Sequence, residues 1–275
     1  MSIRLIAFDL DGTFLADDKS IPEENLRAIG ECASRGIHIV PATGRIVPGL
    51  PESIRSLPFI RYYITSNGAY VVDIQTGEAL HRAELDTALA LDVMRYLDGV
   101  DAIYDCYKDN RGWMTRSFLE HVGDFVQDPI FLEMIHRLRT PVDSLPEMLR
   151  TLGEPIQKIS VFPRHPERDK RAVMEELARR FPTTRVSSSV PFNIEVNSAA
   201  ATKGQALRGL CARLGIDIAE TMGFGDGTND ADLLTAAGIG VAMANAEPEV
   251  RAAADYITDT NNNAGVAKAI RKFAG

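Results

Sequence analysis

Leu5-Ile6-Ala7-Phe8 runs without a polar break into Asp9-Leu10-Asp11-Gly12-Thr13. Apolar residues at every position, instead of every second one, suit a strand buried on both faces, as in a parallel sheet covered by helices. Two carboxylates then leave its end. Gly12 permits a sharp turn there, so Asp9 and Asp11 can be aimed into one crevice at the sheet edge, where open α/β sheets bind ligands. Close carboxylates repel, and a divalent cation or a shared proton makes such a pair tolerable. The same residues suit a plain Asp-Gly turn capped by Asp9, and this stretch alone leaves both readings open. A calcium-binding EF-hand loop is excluded. Counted from Asp9, its sixth position needs Gly and its twelfth Glu, where the chain has Phe14 and Ser20.

The same strand, loop, helix rhythm recurs. Ser20-Ile21-Pro22-Glu23 has capping-box spacing, and Leu26, Ile29 and Ala33 follow at helical intervals until Gly36. Residues 37–40 and 62–65 read as strands that enter the loops Pro41-Ala42-Thr43-Gly44-Arg45 and Ser66-Asn67-Gly68-Ala69. From 83 to 190 the character changes. Residues 88–97 carry a helical stripe, 102–107 read as a strand before a hairpin turn at 109–112, and 128–147 are poorly patterned. A strand at 156–162, a helix at 167–180 and strands at 186–189 and 192–196 follow. The first rhythm resumes at Thr202-Lys203-Gly204, with Thr202 as N-cap, and a strand at 221–224 delivers Gly225-Asp226-Gly227-Thr228-Asn229-Asp230. The expected fold is α/β, with a doubly wound, mainly parallel sheet from residues 1–82 and 191–275 and a second α/β domain, 83–190, inserted into it.

With 275 residues, 45% of them hydrophobic, the chain is long enough for one large domain or two smaller ones. A net charge of −8 argues against general nucleic-acid binding. A few local cations or a metal can still build a phosphate pocket. Cys32, Cys106 and Cys211 show no paired spacing, so neither a disulfide framework nor a zinc site is expected. No apolar run approaches a membrane span and the start reads directly into a strand, so a cytoplasmic protein without membrane partners is expected. No P-loop, dinucleotide fingerprint, nucleophile elbow or His-Glu-x-x-His is present.

Singly, each polar loop has an ordinary reading. Thr-Gly-Arg makes turns, a lysine opening a helix is usually solvated, and Asp226 and Asp230 suit a turn and a first helical turn. Together, the ordered set Asp-x-Asp-Gly-Thr, Thr-Gly-Arg, Lys-Gly and Gly-Asp-Gly-x-Asn-Asp resembles the haloacid dehalogenase-like superfamily, specifically its Cof-like branch of magnesium-dependent phosphatases. The resemblance covers residues 1–82 and 190–275. The middle matches in position and size the large α/β cap of that branch.

The resemblance implies a Rossmann-like core and a phosphomonoester hydrolase acting on a small phosphorylated metabolite, most commonly a sugar phosphate, through an aspartyl-phosphate. Asp9 would be the nucleophile and Asp11 the general acid and base. Asp226, with Asp9 and the carbonyl of Asp11, would hold Mg²⁺, supported by Asp230. Thr43 and the Gly44 N–H would grip the phosphoryl oxygens, Lys203 would neutralise them and Asn229 would orient that group; Arg45, Asn67 and Gly68 complete the phosphate-binding set. The dehalogenase branch itself is excluded, because it lacks the second aspartate present here as Asp11. One departure is the run Asn197-Ser198-Ala199-Ala200-Ala201-Thr202, which lacks the Pro and Gly expected before Lys203. A phosphotransferase or phosphomutase would share the intermediate and differ in the acceptor, and a non-catalytic phospholigand-binding module is the third reading. Arg111, Trp113 and Arg116 suit either a specificity role or an exposed hairpin. No motif sets the oligomeric state.

Overall fold

In the computed structural model, which describes residues 2–275, Leu5–Phe8 is a strand, β1, buried along its whole length. The chain continues with β2 (His38–Pro41), β3 (Tyr62–Thr65), β4 (Tyr70–Asp73) and β5 (Ala79–Arg82). Then come β6 (Ala102–Lys108), β7 (Arg111–Thr115), β8 (Arg139–Val142), β9 (Lys158–Pro163), β10 (Thr184–Ser187) and β11 (Ile194–Ser198). It ends with β12 (Thr221–Gly225), β13 (Ile239–Ala242) and β14 (Tyr256–Ile257). Contacts divide it into two units, Met1–Arg82 with Thr202–Gly275, and Ala83–Ala201.

The first unit holds a five-stranded parallel sheet of order β14-β13-β12-β1-β2. Alternate residues of β1 enter opposite cores. Ile6 and Phe8 pack with Ile29 and Ile270 of the helices Glu23–Ser34 and Gly265–Phe273. Leu5 and Ala7 pack with Leu207 and Leu210 of the helix Lys203–Leu214. Helices on both faces are why β1 carries no polar alternation. The expected capping box at Ser20 does not form: Pro22 is the N-cap without a side-chain bond, and Ser20 Oγ donates to Asp18 instead.

β3, β4 and β5 form an antiparallel meander, linked to the parallel sheet by a bridge between Ala42 and Ile64. Sequence patterning misses β4 because all four of its residues are buried, which removes the period-two signal.

The second unit is built on a six-stranded sheet of order β10-β11-β9-β6-β7-β8, antiparallel except for β7 with β8. The expected hairpin joins β6 to β7 through Asp109 (φ 47°) and Asn110 (φ 62°), residue types that tolerate this left-handed conformation. The poorly patterned stretch contains the helix Pro129–Leu138, β8 and the start of the helix Leu145–Leu152. This unit extends to Ala201, past the expected end at 190, because β11 pairs with both β9 and β10. Thr202 then caps the returning helix, accepting from the Gln205 N–H at 3.2 Å. All three cysteines are free and buried. Among the described residues no helix is long and apolar enough to cross a membrane.

Candidate active site

The ladder of β1 continues one residue beyond the strand, where the Asp9 N–H donates to the Phe224 carbonyl at 3.0 Å. This holds Asp9 beside the end of β12, and Asp226 lies two residues beyond Phe224. Asp230 follows in a tight turn, its Oδ2 accepting from the N–H groups of Asp226 (3.1 Å) and Gly227 (3.0 Å). Lys203, in the first position of its helix, is fully buried and donates to Asp9 Oδ1 at 2.6 Å and Asp230 Oδ1 at 2.5 Å. Thr13 Oγ1 donates to Asp226 Oδ1 at 2.6 Å.

Three carboxylates thus crowd one ammonium. Burial, with repulsion from Asp230 and Asp226, outweighs Lys203 and pushes Asp9 up to about 8. Burial pushes Asp226 up to about 6. Burial disfavours a charged Lys203, but Asp230 and Asp9 outweigh it and hold the ammonium above its ordinary value.

Such an arrangement invites a cation. Asp9, Asp226 and Asp230 each offer a carboxylate oxygen, and these atoms lie within 4.8 Å of one another. An all-oxygen donor set carrying surplus negative charge fits a hard divalent ion. Gly12 is required for the close approach: its φ is +83°, and a Cβ there would sit 2.3 Å from Asp226 Oδ2.

The carboxylate of Asp11 is turned to other partners. Arg45 grips it with two nitrogens, Nε to Oδ2 at 3.0 Å and Nη2 to Oδ1 at 2.9 Å, and Lys19 Nζ reaches Oδ1 at 2.9 Å. Burial raises the pKa of Asp11, but Arg45 and Lys19 outweigh it and hold the carboxyl below its usual range. The side chain of Asp11 therefore stands outside the cluster of Asp9, Asp226 and Asp230. Arg45, expected on the phosphate side, spends its guanidinium on Asp11 and on the Gly49 carbonyl.

The remaining predicted residues form a second small group. Thr43 is buried at the end of β2, with its N–H bonded to the Ile64 carbonyl and its Oγ1 accepting from the Arg45 N–H at 3.2 Å. The Asn67 N–H donates to the Thr43 carbonyl, and Gly44 lies against the Asn67 amide. Asn229 Nδ2 reaches Asn67 Oδ1 at 3.5 Å, the outer limit of a hydrogen bond. Ser66, Asn67 and Gly68 all have positive φ (51°, 61° and 98°), an uncommon conformation that clusters at functional sites. A Cβ on Gly68 would lie 2.1 Å from the Thr202 carbonyl oxygen, so this loop sits directly against the turn that presents Lys203.

Sequence reasoning assigns no role to Lys19, Thr13 or Asn245, whose Nδ2 donates to the Gly12 carbonyl at 2.8 Å. Thr13 was within reach, since it closes the first motif. Lys19 and Asn245 sit in polar loops that carry no pattern.

The sequence matches the family model described as haloacid dehalogenase-like hydrolase over residues 6–270. The 5-amino-6-(5-phospho-D-ribitylamino)uracil phosphatase YcsE of Bacillus subtilis is 32% identical, over 99% of this chain and 96% of that protein. A haloacid dehalogenase-like hydrolase from Bacteroides thetaiotaomicron superposes with a TM-score of 0.81 at 26% identity, covering 98% of this chain and 99% of that one. The HAD subclass IIB sugar phosphatase BT4131 superposes with a TM-score of 0.79 at 26% identity, covering 98% of each chain.

Proposed function

The chain belongs to the haloacid dehalogenase-like hydrolase family, and on that premise we propose that it is a Mg²⁺-dependent phosphatase of a small phosphorylated metabolite, a sugar phosphate being the first class to test. The observation that carries this reading is the contact of Asp9 with a fully buried Lys203, within a cluster of three carboxylates. A phosphoryl group brings negative charge, and a site that accepts it while using a carboxylate nucleophile needs such fixed cations.

Asp9 attacks phosphorus, the ester P–O bond breaks, and Asp11 gives its proton to the departing alkoxide oxygen. Water then attacks the aspartyl-phosphate, Asp11 takes the water's proton, and phosphate leaves with Asp9 restored. Lys203 favours the ionised, nucleophilic form of Asp9 and offsets phosphoryl charge. Asp11 cannot donate while it is a carboxylate gripped by Arg45 and Lys19, so the first step requires its protonation and release from them. A divalent ion held by Asp9, Asp226 and Asp230 would supply positive charge for the phosphoryl oxygens. Thr43 and the Gly44 N–H are the donors for those oxygens, with Asn67, Gly68 and Asn229 shaping that side. The free, buried cysteines fit a reducing cytoplasm.

The test is phosphate release from a panel of phosphorylated metabolites with Mg²⁺ and no added acceptor. Release should vanish with a chelator and in Asp9→Asn. Turnover that survives both would contradict the reading, and release only on adding an acceptor would favour a transferase.

A further inference from the structure

If Asp9 and Asp226 are to serve one cation, the two acidic turns that carry them must keep a fixed spacing. Both lie in the first unit. The earlier turn satisfies part of its backbone internally, the N–H groups of Phe14 and Leu15 reaching back to the carbonyls of Asp9 and Leu10. Three of its other carbonyls, those of Gly12, Phe14 and Leu15, are each taken by the side-chain amide of an asparagine. Each asparagine comes from a different part of the chain.

Asn245, in the loop after β13, gives Nδ2 to the Gly12 carbonyl at 2.8 Å and takes the Asn261 N–H on Oδ1 at 3.0 Å. Asn261 is buried and gives Nδ2 to the Leu15 carbonyl and to Asp17 Oδ1, both at 3.0 Å. Asn25 is fully buried in the helix Glu23–Ser34; it gives Nδ2 to the Phe14 carbonyl at 3.1 Å and takes the Ala267 N–H on Oδ1 at 3.0 Å. Asn25 and Asn245 thus each join a backbone acceptor to a backbone donor. That task suits the two unlike ends of an amide, since a carboxylate has no donor and an aliphatic side chain has neither.

The loop that carries Asn245 also holds the later acidic turn. The Met243 N–H donates to the Gly225 carbonyl and the Glu247 N–H to the Asp226 carbonyl, each at 3.1 Å. One short segment therefore fastens both turns, Gly225 and Asp226 through its backbone and Gly12 through the side chain of Asn245. We propose that Asn245 is a positioning residue for the cation site, setting the Gly12 turn against Asp226, with Asn25 and Asn261 supporting the rest of that turn. The inference rests on the Mg²⁺-dependent reading. A turn held in place beforehand spares the ion the cost of ordering it, and partners that orient metal ligands contribute to metal affinity.

The test is a Mn²⁺ titration read by electron paramagnetic resonance, Mn²⁺ being a hard ion that oxygen sites accept. Asn25 and Asn261 are buried, so their variants lose stability as well, whereas Asn245 is exposed and Asn245→Ala reads positioning in a folded protein. Its Mn²⁺ dissociation constant should rise about fivefold, the effect of one ordinary hydrogen bond, with the circular dichroism of the metal-free protein unchanged. Asn263→Ala is the control, because Asn263 lies in the same turn as Asn261 but bonds to Asp259. It should leave the constant at its wild-type value. A wild-type constant in Asn245→Ala, or an equal rise in Asn263→Ala, overturns the inference and leaves the phosphatase reading standing. Failure of the wild type to bind Mn²⁺ removes the cation site and the inference together.

Discussion

Lys203→Ala should destabilise the protein and should do so mainly in the absence of metal. The substitution removes a fully buried ammonium that donates to Asp9 at 2.6 Å and to Asp230 at 2.5 Å. Deleting one partner of a buried ion pair costs about 3–5 kcal/mol, because the remaining charge stays buried without compensation. Part of this is offset. Burial pushes Asp9 up to about 8 even beside Lys203, so losing Lys203 favours its neutral form further and leaves less uncompensated charge. Asp230 keeps its two backbone donors. The net loss expected in chelator is about 2–3 kcal/mol, which lowers the melting temperature by roughly 3–6 °C for a protein of this size. Saturating Mg²⁺ should recover much of that loss by binding only the folded state and supplying the missing charge. Calorimetric melting of wild type and variant, each in chelator and in Mg²⁺, reads all four values. An unchanged melting temperature in chelator, together with wild-type kinetics, would return Lys203 to an ordinary helix-start lysine and refute the reasoning.

Gly12→Ala places a Cβ 2.3 Å from Asp226 Oδ2 at a φ of +83°. Left-handed backbone alone costs about 1–2 kcal/mol for an L-residue, so both melting temperature and Mg²⁺ affinity should fall; a calorimetric Mg²⁺ titration indistinguishable from wild type would count against the site. Arg45→Ala frees the carboxylate that Arg45 and Lys19 hold below its usual range. A depressed pKa keeps the base form of Asp11 available to lower pH, so losing Arg45 should move the acidic limb of the kcat–pH profile upward. An unmoved limb would mean that the pair is not used in turnover.

Much of the architecture could be read from local chemistry. An uninterrupted apolar run ending in two aspartates is unusual enough to give β1 and its site, and Thr202 before Lys203 gave a helix start that the structure caps as expected. The hairpin at Asp109 and Asn110 was legible because few residue types accept its conformation. What escaped depends on long-range packing. In the helix Pro129–Leu138 the residues Phe131, Met134, Ile135 and Leu138 have helical spacing, but the neighbouring apolar Ile130 and Leu132 blur the stripe, and only Ile135 ends up fully buried. The second unit's true end at Ala201 depends on which strand β11 pairs with. Full burial of Lys203 and the grip of Arg45 on Asp11 arise between residues 194 and 34 positions apart, respectively. No local pattern encodes such distances.

The central claim is that Asp9 takes the phosphoryl group, and the most direct measurement is to look for it there. Asp11→Asn lacks the acid and base but keeps the nucleophile. An aryl phosphate leaves as a stabilised phenolate and needs little protonation, so its first step can proceed while hydrolysis of the aspartyl-phosphate stalls. Mixing this variant with p-nitrophenyl phosphate and Mg²⁺, quenching in acid and mapping peptides by mass spectrometry should show a burst of nitrophenol and one added phosphoryl group on Asp9. Steady turnover with no burst and no modified Asp9 would contradict the account.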